Sequence, residues 1–175
     1  MKKLRLMLTL IIGSILIIGA LFSGCSDDPT GPTAKWAWRP LGSGSAYALG
    51  ALTVYDNKVF AAGNFLDDVD FMANDIVIWD GSDWSIHGSG TDSMVLAMTV
   101  YDNKLIVAGQ FSSVNGVSAS KIAAWDGSAW TPLGSGVDHR VYAMVVYDNK
   151  LIVGGEITSA GGVNVNRIAA WDGSS

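Results

Sequence analysis

Residues 141–157 read VYAMVVYDNKLIVGGEI. Val141 to Tyr147 is apolar without interruption, the pattern expected of a strand buried on both faces. Asp148-Asn149 supplies a two-residue hairpin loop, since both side chains tolerate positive φ. Lys150 to Gly155 (KLIVGG) returns as a second strand, its glycines suited to close packing. A loop rich in Gly and Asn leads to Arg167 to Trp171 (RIAAW), a third strand, and Asp172-Gly173-Ser174 forms a further turn. One unit earlier the same turn runs into Trp130 to Leu133 (WTPL), a fourth short strand.

The passage is one of three copies. Trp38, Trp84 and Trp130 are spaced by 46 residues, as are the Tyr-Asp-Asn-Lys strings at Tyr55, Tyr101 and Tyr147. Trp-Asp-Gly-Ser at Trp79, Trp125 and Trp171, and Gly-Ser-Gly at Gly42, Gly88 and Gly134, keep the same period. Units 38–83, 84–129 and 130–175 therefore tile the body without insertion or deletion. Four antiparallel strands in a unit of this length is what a β-propeller blade requires. One such sheet cannot bury both faces alone; stacked blades supply the missing core, with tryptophans as fillers between them. A β-solenoid would use shorter rungs without repeated tight hairpins. The expected fold is all-β, with three four-stranded blades.

The phase of the repeat is awkward. The body opens on a fourth strand, Trp38 to Leu41, and its last complete strand is a third one ending at Trp171. A ring sealed by its termini has this phase, yet closed single-chain propellers have roughly 4–8 blades, and three leave open edges prone to pairing with other chains. The expectation is a truncated part of a larger ring. An open three-blade arc, and a ring of two chains exchanging strand 38–41, are the alternatives, and each brings self-association through open blade edges into view.

The string Ile152-Val153-Gly154-Gly155 followed by Trp171 resembles the apolar-run, Gly-Gly, Trp pattern of kelch and galactose-oxidase central-domain blades. The whole string, from residue 141 to the RIAAWDGSS that closes the sequence, is similar to repeats of large bacterial surface and secreted proteins. The resemblance covers residues 38–175. It departs from kelch in lacking a Tyr early in the third strand, and two units carry Ala62-Gly63 and Ala108-Gly109 where kelch has Gly-Gly. The copper site of galactose oxidase needs a Cys-linked Tyr, and this body has no Cys to provide one. No cofactor is expected.

The N-terminus is a different kind of sequence. Lys2, Lys3 and Arg5 precede an apolar run from Leu6 to Phe22, then Ser23, Gly24 and Cys25, the layout of an export signal. The run is short for a membrane span, which needs roughly 20 residues. Cys25 is the only cysteine, so no intrachain disulfide can form. Leu21-Phe22-Ser23-Gly24-Cys25 resembles the lipobox of bacterial lipoproteins, with Phe22 where the family usually has Leu. That resemblance implies cleavage after residue 24 and acylation of Cys25 by diacylglycerol and a further chain such as palmitate; two or more chains hold a protein durably on a bilayer. An uncleaved signal anchor and a plain cleaved signal peptide are the alternatives. All three export the body, because the positive charges stay cytoplasmic. Residues 25–37 then form a lipidated start and a polar tether with two prolines. The expected location is the bacterial cell envelope, on the periplasmic or exterior face.

The net charge is −5, and three of the 11 basic residues lie in that leader, so the body is more acidic still. Without a basic stripe, nucleic acid is not an expected partner. With 21 Gly, 7 Trp and only 15% charged residues, the composition favours β structure with frequent turns.

No catalytic set is legible. His87 takes the place held by Leu41 and Leu133, and reads as a partly buried strand residue; His139, between Asp138 and Arg140, reads as solvated. There is no Cys-His pair, zinc set or GxSxG elbow, and Gly-Ser-Gly is too short for a phosphate cradle. One loop breaks the repeat: residues 66–75 read LDDVDFMAND, where the other units carry SSVNGVSASK and TSAGGVNVNR. Asp67, Asp68, Asp70 and Asp75 could bind Ca²⁺ or dock a partner, although the loop lacks the central Gly and final Glu of an EF-hand; a solvated, diverged loop is the competing reading. Asp80, Asp126 and Asp172, and Asp56, Asp102 and Asp148, recur in every unit, which points to turn building. The functional expectation is an envelope-anchored, non-catalytic binding or scaffold module for protein or glycan. The alternative is a fragment of an envelope enzyme whose catalytic residues lie outside this chain.

Overall fold

The computed structural model describes residues 38–42, 48–63 and 76–174. Residues from Pro40 onward form one compact unit, and the fold is that of this unit. Every regular element among the described residues is a strand.

Blade one is a four-stranded antiparallel sheet of β1 (Leu49–Tyr55), β2 (Lys58–Gly63), β3 (Ile76–Trp79) and β4 (Trp84–Ile86), in that order. Blade two repeats it with β5 (Val95–Tyr101) and β6 (Lys104–Gly109), then a small hairpin of β7 (Ser113–Val114) and β8 (Val117–Ser118), then β9 (Ile122–Trp125) and β10 (Trp130–Pro132). Blade three has β11 (Val141–Tyr147), β12 (Lys150–Gly155), the hairpin β13 (Ser159–Ala160) and β14 (Val163–Asn164), and β15 (Ile168–Trp171). Its sheet is β11-β12-β15, with no fourth strand among the described residues. The first strands of successive blades lie side by side, β1 against β5 and β5 against β11. The three blades do not close into a ring.

The sequence dictates each hairpin locally. Both residues of every Asp-Asn pair adopt positive φ, from 47° at Asp56 to 59° at Asn57 and likewise at 102–103 and 148–149. Two consecutive residues in that region give the turn whose twist matches the flanking strands. The first strand of each blade carries a bulge at the same repeat position, between Leu49 and Ala51, Val95 and Ala97, and Val141 and Ala143. That bulge explains one glycine of the Gly-Gly pattern. A Cβ on Gly109 would meet Met94 O at 2.1 Å, and one on Gly155 would meet Arg140 O at 2.0 Å. The preceding position is open: the nearest atom to a Cβ on Gly154 is Arg167 O at 4.0 Å. Hence units one and two carry Ala62 and Ala108 there, and their departure from Gly-Gly leaves the blade intact.

The core lies between blades. Phe60, Ala62 and Ile76 of blade one pack against Val95, Leu105, Val107 and Phe111 of blade two. Ile106, Ala108 and Ile122 on the other face of blade two pack against Val141, Leu151 and Val153 of blade three. Blade two is buried on both faces, so β6 is solvent-free from Leu105 to Gly109.

Several strand expectations change. Residues 38–41 form no strand. The continuous apolar run of β11 is not buried on both faces: Val145 is 57% exposed and Tyr147 74%, with no further blade packed against them among the described residues. The third and fourth strands are one residue shorter than expected, starting at Ile168 and ending at Pro132. Arg167 drops out because it sits at φ 68°, outside the β region. The Gly- and Asn-rich loops contain the small hairpins β7–β8 and β13–β14, whose two-residue strands are too short to leave a periodic pattern.

Candidate functional site

Cys25 and the acidic residues Asp67, Asp68, Asp70 and Asp75 lie outside the described residues. Among the described residues, no group of three His, Cys, Asp or Glu side chains is placed to hold a metal ion.

The recurring aspartates of Trp-Asp-Gly-Ser close the turns between third and fourth strands. Asp80 Oδ1 accepts hydrogen bonds from the backbone N–H of Ser82 and Asp83, at 2.9 and 3.0 Å, and from the Ser82 hydroxyl at 2.8 Å. Asp126 repeats this with Ser128 and Ala129, all at 2.8 Å, and Asp172 with both donors of Ser174. The N–H of Asp83, followed by those of Ser82, holds the Asp80 carboxyl down at about 2. The N–H of Ala129 and the Ser128 hydroxyl hold Asp126 at about 2. Donors aimed at a carboxylate favour its charged form. Gly81, Gly127 and Gly173 follow at φ near 100°, which glycine adopts without strain.

A second pair of aspartates was not singled out by sequence reasoning. Asp92 Oδ1 accepts the N–H of Ser112 at 2.7 Å and of Ser113 at 3.0 Å. Asp138 Oδ1 accepts the Thr158 N–H at 2.9 Å, and its Oδ2 the Thr158 hydroxyl. Each latches the segment entering a blade to the loop beyond its second strand. The Thr158 hydroxyl and the Ser159 N–H hold Asp138 well below the usual carboxylate range. Burial acts to raise Asp92, and the Ser113 and Ser112 donors outweigh it. The signal was in the sequence: Asp92 and Asp138 stand 46 apart, opposite Ser112 and Thr158, while unit one has Ala46 and Leu66 at both places. In sequence, unit one thus has no carboxylate at the latch's acceptor position, in the same unit whose loop diverges.

His87 follows β4 rather than lying in a strand, its N–H donating to Ile76 O at 2.7 Å. Its ring sits edge-on between blades, 5.5 Å from Phe60 and 4.7 Å from Trp125 between centroids. Nε2 is buried without a hydrogen-bond partner, and burial lowers the imidazole pKa. His139 is exposed, with Nδ1 3.0 Å from Asp138 Oδ2.

The tryptophans mark the outer part of each blade. Trp79 packs against Trp84 and Trp125 against Trp130, each pair 5.5 Å between centroids. Trp171 has no such partner among the described residues, which include no fourth strand for blade three. Beside it, between blades two and three, lies a largely apolar cavity of about 280 Å³, walled by Ile122, Leu133, Val137, Val153, Val165 and Trp171 among others.

A β-propeller domain of unknown function (DUF5122) matches residues 102–123 and 148–169. Both matches run from the Asp-Asn turn through the second strand and small hairpin to the start of the third strand, in one register 46 apart. No curated protein matches the chain. Two solved structures of computationally designed proteins are similar in outline. Ika4 is 16% identical, with a TM-score of 0.38 over 77% of this chain and 98% of Ika4. Ika8 is 17% identical, with a TM-score of 0.37 over 74% of this chain and 47% of Ika8. By the stacked antiparallel sheets and by the domain that matches two of its three units, the chain is a run of β-propeller blades.

Proposed function

We propose that the protein is an envelope-anchored scaffold or binding module, held on a membrane by acylated Cys25 and presenting its blades to a protein or glycan without catalysing a reaction. The observation that carries this reading is the use of its recurrent polar residues. Asp80 and Asp126 commit Oδ1 to donors of their own turns, Asp92 commits Oδ1 to the loop beyond its blade's second strand, and Asp138 commits both oxygens there. Side chains so held build a rigid frame, and a frame repeated in register suits display. The leader and the lipobox-like string ending in Cys25 support the membrane anchor.

Intact-mass measurement of the protein from a membrane fraction tests the anchor. The expected product starts at Cys25 and carries diacylglyceryl and acyl additions, and Cys25→Ala releases the body from the membrane. An unmodified Cys25, or an intact leader, overturns the anchor.

A further inference from the structure

We infer that Asn115-Gly116, at the tip of the β7–β8 hairpin, is a site of spontaneous deamidation that the closed hairpin holds in check, and that the isoaspartate product keeps the hairpin from closing again. The pair is the one Asn-Gly in the sequence. The reaction needs no partner but water. The backbone nitrogen of Gly116 attacks Cγ of Asn115 and gives up its proton. The Cγ–Nδ2 bond breaks, ammonia leaves, and a succinimide ring is closed. Water then opens the ring at either carbonyl, to aspartate or to isoaspartate. Glycine in the second place leaves the attacking nitrogen unshielded, since it has no Cβ. A Cβ on Gly116 would meet nothing within 4 Å, so the turn is open to the water that the second step consumes.

The closed hairpin opposes the first step in two ways. Asn115 and Gly116 sit at φ 48° and 78°, and in the left-handed region ψ is positive as well, which turns the Gly116 nitrogen away from the Asn115 side chain. The side-chain amide is also engaged elsewhere. Its Oδ1 accepts the Ser89 N–H at 2.8 Å and the Ser89 hydroxyl at 3.0 Å. The amide lies close over Gly88, where a Cβ would meet Oδ1 at 2.5 Å and Cγ at 2.9 Å. The backbone is tied to the same segment: the Asn115 N–H donates to Gly90 O at 2.8 Å and the Asp92 N–H to Ser113 O at 3.2 Å, and Thr91 bridges to Val114. Ring closure therefore waits on the hairpin tip lifting from residues 88–91, a local opening that leaves the rest of the blade folded.

Blade three shows that the Asn115 side chain is dispensable to the hairpin itself. Gly161-Gly162 fills the turn there at φ 59° and 80°, and the Gly161 N–H still donates to Gly136 O at 2.9 Å. Asn115 thus adds the Ser89 clamp to a turn that forms without it. The two products differ in what they leave of that clamp. Aspartate keeps an acceptor oxygen in the same place. Isoaspartate draws Cβ and Cγ into the main chain and lengthens the turn, so the pairing of Val114 with Val117 and the Ser89 contact can no longer both be met. The inference is independent of the anchor and of any partner, which can fail without affecting it.

Peptide mass spectrometry of the full chain, incubated at mildly alkaline pH, tests it. In denaturant Asn115 is expected to convert to a mixture of aspartate and isoaspartate, and in the native chain to convert more slowly by roughly tenfold or more. Ser89→Ala, which removes one of the two donors to Oδ1, should speed native conversion about threefold. Asn115→Asp should leave amide exchange across residues 113–118 as in the unmodified protein, whereas the isoaspartate fraction should exchange there freely. Native conversion as fast as in denaturant overturns the gating, as does a Ser89→Ala chain that converts no faster. No conversion in denaturant overturns the site, and an isoaspartate fraction that retains native protection overturns the loss of closure.

Discussion

At the residue scale, the blades distinguish between two adjacent positions that look alike in sequence. Gly109→Ala would drive a methyl group onto the Met94 carbonyl oxygen, 2.1 Å away; a loss of about 1–3 kcal/mol is expected in denaturant unfolding. Gly154→Ala meets nothing closer than 4.0 Å and is expected to gain about 0.5 kcal/mol through the unfolded chain's lost freedom. His87 is the odd residue in a place that other units give to Leu. Its buried, unpartnered Nε2 makes His87→Leu stabilising by about 1 kcal/mol. Because burial depresses its folded pKa, the unfolded state binds the proton more readily. The His87 contribution is thus intact above about pH 6.5 and lost as pH falls below it. Thermal unfolding from pH 7.5 to 5 should therefore flatten in His87→Leu. The Asp80 and Asp126 carboxyls, held at about 2, act lower. Their contribution is present above the unfolded value near 4 and is lost as pH drops through about 2. An Asp126→Asn variant should show a shallower acid-unfolding slope across that window, read by circular dichroism.

At the scale of elements, the period and the Asp-Asn hairpins were legible because they rest on local rules: positive φ, alternation of strand and turn, and spacing. The bulges were not, since Gly50, Leu96 and Tyr142 share no chemistry and the bulge answers to pairing across the sheet. The small hairpins escaped for want of length, and the Asp92 and Asp138 latches because they join segments about 20 residues apart. Cys25 and the acidic loop, legible as motifs, lie outside the described residues. The blade-to-blade joint is also an element-scale feature. Tyr101 donates its hydroxyl to Asn149 O at 3.1 Å, spanning blades two and three, and a Cβ on Gly173 would lie 3.5 Å from the Tyr101 hydroxyl oxygen. Tyr101→Phe is expected to cost about 0.5–1.5 kcal/mol, while Tyr147→Phe, at 74% exposure, should cost nothing measurable in the monomer.

At the scale of the molecule, blade two is packed on both faces, while among the described residues the outer faces of blades one and three expose Leu52, Val54, Val145 and Tyr147. The sequence phase pointed to such ends, but the cavity that they frame depends on side chains from two blades meeting, and no single unit encodes it. Amide hydrogen exchange resolved by peptide mass spectrometry tests the stacked-blade architecture most directly. Lys104–Gly109 pairs on both sides, with β5 and β9, whereas Ile168–Trp171 pairs on one side only, with β12. The first segment should exchange far more slowly than the second. Rapid exchange in Lys104–Gly109, or protection there no greater than in Ile168–Trp171, would contradict the stacked-blade arrangement.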